Sequence, residues 1–405
     1  MSFLDNILFA LVLAIGVGYF SMNVKKLIRN INLGRDVNRK DNSSERWKNM
    51  AMVAIGQSKM VKRPIAGILH IIVYAGFIII NIEVIEIIID GLFGTHRVLS
   101  FMGSFYDVLI ASFEILAVLV LLAVFIFWIR RNTIKLARFA SSDLTGKPKK
   151  DANYIIYFEV ILMSLFLLMN AADFHLQHLG IGHYNQVGSF PISQFIAPFF
   201  NGMSEGIVVS IERVAWWLHI VGILIFLNYL YFSKHLHILL AFPNTFYADL
   251  NAKGKLDNLE SVTNEVKLMM DPNADPFAAP TDTSDVPAKF GASDVQDLNW
   301  VQLLNAYSCT ECGRCTSSCP ANQTGKKLSP RKIMMDTRDR LEEVGKNIDL
   351  NKGVFVDDGK SLLNDYISTE ELWACTSCNA CVEECPINIS PLSIIIDMRR
   401  YLVME

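Results

Sequence analysis

Long apolar runs dominate roughly the first 240 residues of the chain. A helix of about 20 mostly apolar residues matches the thickness of the hydrocarbon core of a bilayer. Separate runs of this length, divided by polar loops, lie at 5–24, 64–90, 105–129, 153–172 and 206–232. A bundle of buried helices in a soluble protein is the alternative, but five such runs with unequally charged loops favour membrane spans.

The first run begins "MSFLDNILFALVLAIGVGYF" and has neither a basic stretch before it nor a small-residue cleavage site after it. We therefore interpret it as a retained anchor rather than a signal peptide.

The basic residues of the loops predict an orientation. The loops between the first and second runs and between the third and fourth runs are rich in Lys and Arg, whereas one of the other two loops contains only Arg97 and 173–205 contains none. Because basic loops stay inside, we expect a multi-pass protein of the cytoplasmic (inner) membrane. Its N-terminus would lie outside and its C-terminal part in the cytoplasm.

The pattern changes to an ordinary soluble one after the fifth run. Residues 271–293 are rich in Pro, Ala and Asp and predict a flexible linker. We expect three parts: a five-span membrane domain at 1–245, a connector and linker at 246–294, and a mainly helical domain at 295–405. The predicted fold class is all-α, with a five-helix transmembrane bundle followed by an α-helical domain.

One helix of the third part can be placed from its capping residues. Ser329 is a good N-cap for "PRKIMMDTRDRLEEVG", Pro330 suits the first helical position, and Gly345 is expected near the end.

Composition narrows the class of function. Hydrophobic residues make up 52% of the chain and charged residues 19%, and the net charge is −3. A chain without a broad basic field gives no reason to expect a nucleic-acid partner, and membrane lipid is the expected surrounding of the first part.

The cysteines carry the clearest chemical signal. All eight lie in "CTECGRCTSSCP" at 309–320 and "CTSCNACVEECP" at 375–386. This is the spacing of bacterial ferredoxins, in which the fourth cysteine of each run ligates the other [4Fe–4S] cluster. The predicted ligands are therefore Cys309, Cys312, Cys315 and Cys385 for cluster one, and Cys375, Cys378, Cys381 and Cys319 for cluster two. Zinc and disulfides are the alternatives, and this spacing suits neither.

Histidines in the apolar part suggest haem b, since haem iron is commonly held by imidazole. His219 and His237 are 18 residues apart, so on one continuous helix they would share a face about 27 Å apart. His70 lies near the inner end of the second run and is a candidate partner of His237 at an inner haem. The partner of His219 stays open between His175 and His178, and His219 could instead serve a quinone site or a structural role.

Charged residues near the apolar runs are further candidates. Glu83 and Glu86 could relay protons of a quinol, and Arg213 could bind a haem propionate. Interfacial snorkelling is the alternative for the two glutamates.

Two resemblances refine these expectations. Residues 1–245 resemble the cytochrome b (gamma) subunit of respiratory nitrate reductase, through "LH" at His70, the spacing of His219 and His237, and "SKHLH". That family holds two haems between its second and fifth helices, which implies His237 rather than His235 as a ligand. Ile80 stands where the family has a second histidine in its second helix.

Residues 295–405 resemble the heterodisulfide reductase C family, whose members are α-helical dicluster ferredoxins, through "CTECGRCTSSCP" and "GKKLSPRKI". The joined arrangement is similar to heterodisulfide-reductase-related (Fe–S)-binding membrane proteins, including electron-transfer-flavoprotein:menaquinone oxidoreductases. Those carry a cysteine-rich "CCG" domain that this sequence lacks, so the resemblance implies a separate CCG-domain protein or electron-transfer flavoprotein as partner.

Together these patterns predict an oxidoreductase subunit. It would pass electrons between menaquinone or another quinone, one or two haems b, two [4Fe–4S] clusters and a cytoplasmic partner. The alternatives are a membrane anchor and electron wire without its own quinone site, and a redox-sensing scaffold.

Overall fold

The computed structural model describes residues 3–272 and 289–405, and within these ranges the chain is helical and has no strand. The helices are α1 Phe3–Ile31, α2 Ser43–Met50, α3 Pro64–Phe93, α4 Ser104–Asn132, α5 Lys147–Leu179, α6 Ser193–Ile196, α7 Glu205–Leu230, α8 His237–Phe246, α9 Glu260–Met270, α10 Trp300–Ser308, α11 Arg314–Ser317, α12 Pro320–Gln323, α13 Pro330–Leu350, α14 Leu362–Asp365, α15 Thr369–Trp373, α16 Ala380–Glu384 and α17 Pro391–Met404. The all-α prediction is confirmed.

Five of these helices, α1, α3, α4, α5 and α7, are 26 to 33 residues long and apolar enough to cross a membrane. Each contains most or all of one predicted apolar run. The largest extension is in α5, which has Pro148 in its first turn and ends at Leu179, just before Gly180, a residue with φ +64°. Proline at the start and a left-handed glycine after the end set helix limits that hydropathy does not register.

The chain divides into two compact units. The bundle unit contains Met1–Val24 and Met60–His235, and the cysteine unit contains Lys25–Lys59 and Leu236–Glu405. The three parts predicted from sequence are continuous stretches of the chain. In the structure, residues 25–59 instead pack with the C-terminal part.

Within the bundle unit, small residues let helices approach closely. A Cβ added to Gly91 on α3 would lie 2.6 Å from the ring of Phe9 on α1. The Phe9 ring in turn lies 5.4 Å from that of Trp216 on α7, centroid to centroid. The pairs α5–α7 and α3–α4 also pack along each other, which brings polar residues near the ends of α3, α5 and α7 together.

The expected continuous helix through His219 and His237 is wrong. Helix α7 ends at Leu230, a short 3₁₀ turn covers Lys234–Leu236, and α8 begins at His237. The Ser233 N–H bonds to the Leu230 carbonyl at 3.1 Å, and the Lys234 N–H bonds to Asp151 Oδ2 at 3.2 Å. Asp151 thus takes a backbone donor that a continuing helix would use internally, so a shared helical face cannot be argued from the 18-residue spacing.

In the cysteine unit, Ser329 caps α13 as predicted and accepts a hydrogen bond from the Lys332 N–H. The helix, however, continues through Gly345 to Leu350. A Cβ at Gly345 would lie 2.4 Å from Asn30 Nδ2, so this glycine permits close approach of the 25–59 segment rather than ending the helix. Most of the predicted linker, 273–288, lies outside the described residues.

Candidate cluster sites and a buried polar pocket

The two cysteine motifs repeat a backbone conformation as well as a spacing. Glu311 and Gly313 have φ of 55° and 72° in the first motif, and Ser377 and Asn379 have φ of 55° and 60° at the matching positions of the second. Left-handed residues on either side of the second cysteine turn the loop sharply. Such turns let three closely spaced thiols face one site.

The thiols are grouped across the motifs. Burial raises the pKa of Cys315, and nearby Cys312, Cys309, Cys385 and Cys381 raise it further. Burial likewise raises the pKa of Cys381 to about 12, with Cys375, Cys319 and Cys378 adding to the effect. Cys385 and Cys381 of the second motif therefore lie near the first motif, and Cys319 of the first motif lies near the second. The division of the eight thiols into the two predicted ligand sets stays a prediction.

This donor set fits iron–sulfur clusters. Buried thiols keep their protons at neutral pH, and iron replaces those protons because only the thiolate is a ligand. Backbone donors point at two sulfurs: the Ser377 N–H lies 3.4 Å from Cys375 Sγ, and the Ile389 N–H lies 3.3 Å from Cys385 Sγ. Such bonds tune cluster potentials. In the described ranges no three His, Cys, Asp or Glu side chains are arranged to hold a single metal ion.

His219 has the surroundings of a fixed imidazole. It is 1% exposed, and its Nδ1 lies 3.0 Å from the carbonyl oxygen of Leu162 on α5. A carbonyl only accepts, so Nδ1 carries the proton and Nε2 is left with its lone pair in the neutral ring. This partner orients the ring as metal-bound histidines usually are oriented, so the surroundings of His219 suit a residue that would hold a haem.

The other histidine predictions are not resolved by the structure. His70 belongs to the bundle unit and His237 to the cysteine unit, so the pair stays a prediction. Of the two alternatives for His219, His178 is exposed and its Nδ1 donates to the Phe174 carbonyl. The ring of His175 packs 5.9 Å from that of Phe200.

The bundle unit encloses a polar pocket that brings Glu83, Glu86 and Arg213 together. Its lining comprises Glu83, Glu86, Ile87, Asp90, Thr95, His96, Arg97, Met169, Asp173, Glu212, Arg213 and Trp216. Glu83 is 3% exposed, and its Oε2 is buried without a hydrogen-bond partner among the described residues. Both carboxylate oxygens of Glu86 have a hydrogen-bond donor: the Leu99 N–H lies at 2.8 Å from one, and the Tyr106 hydroxyl at 2.9 Å from the other.

Arg213 is paired within the protein. Its guanidinium bonds to the adjacent Glu212 carboxylate, which also accepts from the Tyr184 hydroxyl at 3.0 Å. Its charge is therefore already balanced, and the predicted contact with a haem propionate stays a prediction.

Sequence reasoning missed an ion pair in the lining of this pocket. Arg97 Nε lies 2.5 Å from Asp173 Oδ2, and Arg97 Nη2 lies 2.9 Å from Asn170 Oδ1. His96 Nε2 lies 3.3 Å from the other Asp173 oxygen. Arg97 is the single basic residue of a bare loop and Asp173 an acid at the end of an apolar run, and this is the signal that could have paired them.

Comparison with known proteins agrees with this site. Residues 308–389 match the family described as "4Fe-4S dicluster domain", which supports two [4Fe–4S] clusters. The chain is 31% identical to "Probable iron-sulfur-binding oxidoreductase FadF" of Bacillus subtilis (strain 168), over 99% of this chain and 56% of that protein. It is 25% identical to "EtfAB:quinone oxidoreductase" of Syntrophomonas wolfei, over 91% of this chain and 50% of that protein.

The cysteine motifs have their own relatives. A stretch of 103 residues is 35% identical to a subunit of the "Ferredoxin/F(420)H(2)-dependent CoB-CoM heterodisulfide reductase" of Methanosarcina acetivorans, over 25% of this chain and 49% of that protein. The chain spans about half the length of the curated relatives it matches. No solved structure matches it. The chain is thus similar to iron–sulfur oxidoreductases and contains a dicluster region like that of the heterodisulfide reductase C family.

Proposed function

We propose that the chain is a membrane electron-transfer subunit. It passes electrons between a quinone, haem b and two [4Fe–4S] clusters, and exchanges them with a cytoplasmic CCG-domain protein or electron-transfer flavoprotein. The proximity of thiols from the two motifs carries this proposal, since two [4Fe–4S] clusters that each take one ligand from the other motif require it. The five apolar helices and the similarity to an EtfAB:quinone oxidoreductase support the link to a membrane quinone.

Each set of residues has a part in this proposal. Cys309, Cys312, Cys315 and Cys385 hold one cluster, and Cys319, Cys375, Cys378 and Cys381 hold the other. His219, His70 and His237 are the proposed haem ligands, and bound haem would carry single electrons through the bundle. Glu83 and Glu86 are the proposed proton relay, because a quinone that gains or loses electrons also exchanges protons.

The free oxygen of Glu83 suits this part. A hydroxyl group of a quinol entering the pocket would satisfy a buried acceptor that the described residues leave unpaired. Tyr106 and the Leu99 N–H occupy Glu86, so we propose Glu83 as the group that meets the ligand and Glu86 as its support.

The first experiment counts cofactors on the full chain purified from membranes. We expect about eight non-haem irons, as two four-iron clusters require, together with haem b in a pyridine haemochrome assay. Iron without any Soret absorbance would remove the haem and quinone from the proposal. The alternative of a membrane anchor and wire for an Fe–S enzyme would then stand.

The second experiment tests the quinone link in the same preparation. A menaquinol analogue should reduce the haem, and Glu83→Gln should slow that reduction by about 10²-fold, the usual contribution of one proton-transfer group. Glu205→Gln is the matched control, because Glu205 is an exposed acid at the start of α7. Haem reduction at an unchanged rate in Glu83→Gln would refute the role of Glu83. No reduction in the unaltered chain would favour the anchor.

A further inference from the structure

Residues 25–59 are joined to the rest of the cysteine unit by backbone and side-chain hydrogen bonds. The Arg35 N–H donates to the Leu298 carbonyl at 2.8 Å, and the Trp300 N–H donates back to the Arg35 carbonyl at 3.1 Å. Asn49 Nδ2 donates to the Thr245 carbonyl. Lys59 is the last residue of this segment in the unit.

Lys59 contacts both cysteine motifs. Its Nζ donates to Asn388 Oδ1 at 2.9 Å and to the Val382 carbonyl at 3.2 Å, and these two residues lie three positions on either side of Cys385. Its own carbonyl accepts from Arg314 Nη1 at 3.2 Å, and Arg314 directly precedes Cys315. Cys315 and Cys385 are the thiols through which the two motifs meet at cluster one.

From these contacts we propose that Lys59 is a positioning residue for cluster one, joining the two motifs where they share that cluster and raising its reduction potential. The proposal rests on the assignment of Cys309, Cys312, Cys315 and Cys385 to one cluster in the proposed function.

The backbone around Lys59 is shaped to present it. Helix α2 continues into a π-helix at Ala51–Ile55. Such π-bulges are rare in proteins overall, and many of those known lie at functional sites. Gln57 then has φ 52°, and its Nε2 donates to the Ala54 carbonyl at 2.6 Å. A non-glycine residue in the left-handed region is held there only by its surroundings, which here turn the chain toward the motifs.

Asn388 is held on two sides. Its Oδ1 accepts from Lys59, and its Nδ2 donates to Asn49 Oδ1 at 3.1 Å. It has φ 63°, so its backbone also lies in the left-handed region, one residue before the Ile389 N–H that points at Cys385 Sγ. Segment 25–59 therefore fixes the loop that supplies the crossing thiol.

The sign of the effect on potential follows from charge. Reduction adds one electron to a cluster, and a nearby cation stabilises the more negative form, so the potential rises. Lys59 is half-buried, which limits screening of its charge by solvent and salt. Other cations also lie near cluster one: Arg314 and Arg331 line the same pocket as Cys309 and Cys315, and Arg338 is paired with Glu311 at 2.9 Å. These cations are the same in every Lys59 variant, so a difference in midpoint between variants reports the charge of Lys59.

The test is a redox titration of both clusters by electron paramagnetic resonance on the full chain in detergent. Lys59→Gln keeps an N–H donor for Asn388 and removes only the charge, and Lys59→Met removes both. We expect Lys59→Gln to lower one midpoint potential and leave the other in place. We expect Lys59→Met to lower the same midpoint further or to lose that cluster, whereas Lys59→Arg keeps the midpoint of the unaltered chain. Lys327→Met is the control, because Lys327 is an exposed cation whose only described ionic partner, Glu370, is also exposed.

The outcomes separate this proposal from the proposed function. Unchanged midpoints in Lys59→Gln, or equal shifts of both, would overturn the role of Lys59 while leaving the clusters in place. Loss of one cluster in Lys59→Met but retention in Lys59→Gln with a lowered midpoint supports both the joining and the tuning. Loss of a cluster in Lys59→Arg and Lys59→Gln alike would overturn the tuning. Missing iron in the unaltered chain would instead reject the cluster assignment itself.

Discussion

Single side chains decide where this chain would hold iron and where it would exchange protons. The cysteine residues of both motifs were predictable, because ligand spacing within a tight loop is a local property of sequence. The meeting of Glu83 with Glu212 and Arg213 in one pocket was not, since these residues come from α3 and α7. Nor was the pairing of Arg97 with Asp173, which depends on where two helices end.

If the fourth cysteine of each motif ligates the cluster of the other motif, single cysteine variants should show it. Cys385→Ser should disturb the cluster bound by the first motif, as Cys309→Ser does, although Cys385 lies in the second motif. Cys319→Ser should instead behave like Cys375→Ser. Paramagnetic spectra of the reduced clusters in the four variants check this, and matching spectra for Cys385→Ser and Cys375→Ser would contradict it.

At the scale of helices, some helix ends are set by the local sequence and others by tertiary contacts. Ser329 begins α13 by capping it, a local effect readable from sequence. Gly345 does not end that helix; its missing side chain instead makes room for Asn30. Helix α7 stops at Leu230 because Asp151, far back in the sequence, accepts the Lys234 N–H. Tertiary partners of this kind override propensity.

At the scale of helices, we predict that Arg46 on α2 stabilises the packing of α2 against the end of α8. It is 1% exposed, and its Nη1 donates to the carbonyls of Phe246 at 3.2 Å and Ala248 at 2.9 Å, tying α2 to the end of α8. Arg46→Met should lower the free energy of unfolding by about 3 kcal/mol, since buried carbonyls lose their donor.

Denaturant unfolding of the full chain in detergent, followed by cluster absorbance, measures this loss. Lys48→Met on the same helix is the control, because Lys48 is exposed, and it should stay within about 0.5 kcal/mol. A hydrogen bond from Arg46 also lowers the pKa of Asp41. The contribution of this pair is therefore present above the ordinary pKa of an aspartate and is lost as the pH falls through the lowered value. Equal stability of Arg46→Met and Lys48→Met would contradict the prediction.

At the scale of the whole molecule, the chain alternates between its two units. It leaves the bundle unit at Lys25, contributes residues 25–59 to the cysteine unit, and returns at Met60. The basic residues of this segment therefore have a structural use as well as the orienting role read from sequence. Lys26 Nζ bonds to Asp349 at 2.8 Å, and Arg29 bonds to the same carboxylate.

Membrane orientation is the prediction for the whole chain. A protease site inserted after Gly146, in a basic loop, should be cut only from the cytoplasmic side, as should one after Gly254 in the cysteine unit. A site after Gly182, in a loop without Lys or Arg, should be cut only from outside. Digestion of right-side-out and inverted vesicles tests this, and cleavage at Gly182 and Gly254 from the same side would refute the orientation.

The amino-acid sequence by itself determined the five apolar helices and the two cysteine loops, because backbone hydrogen bonds within a helix and ligand spacing within a loop are short-range. Only the tertiary structure decided which groups outside those loops meet: Lys59 with both motifs, and Glu83 with the residues of α7. Those encounters depend on how whole elements pack, and no local pattern of residues encodes that packing.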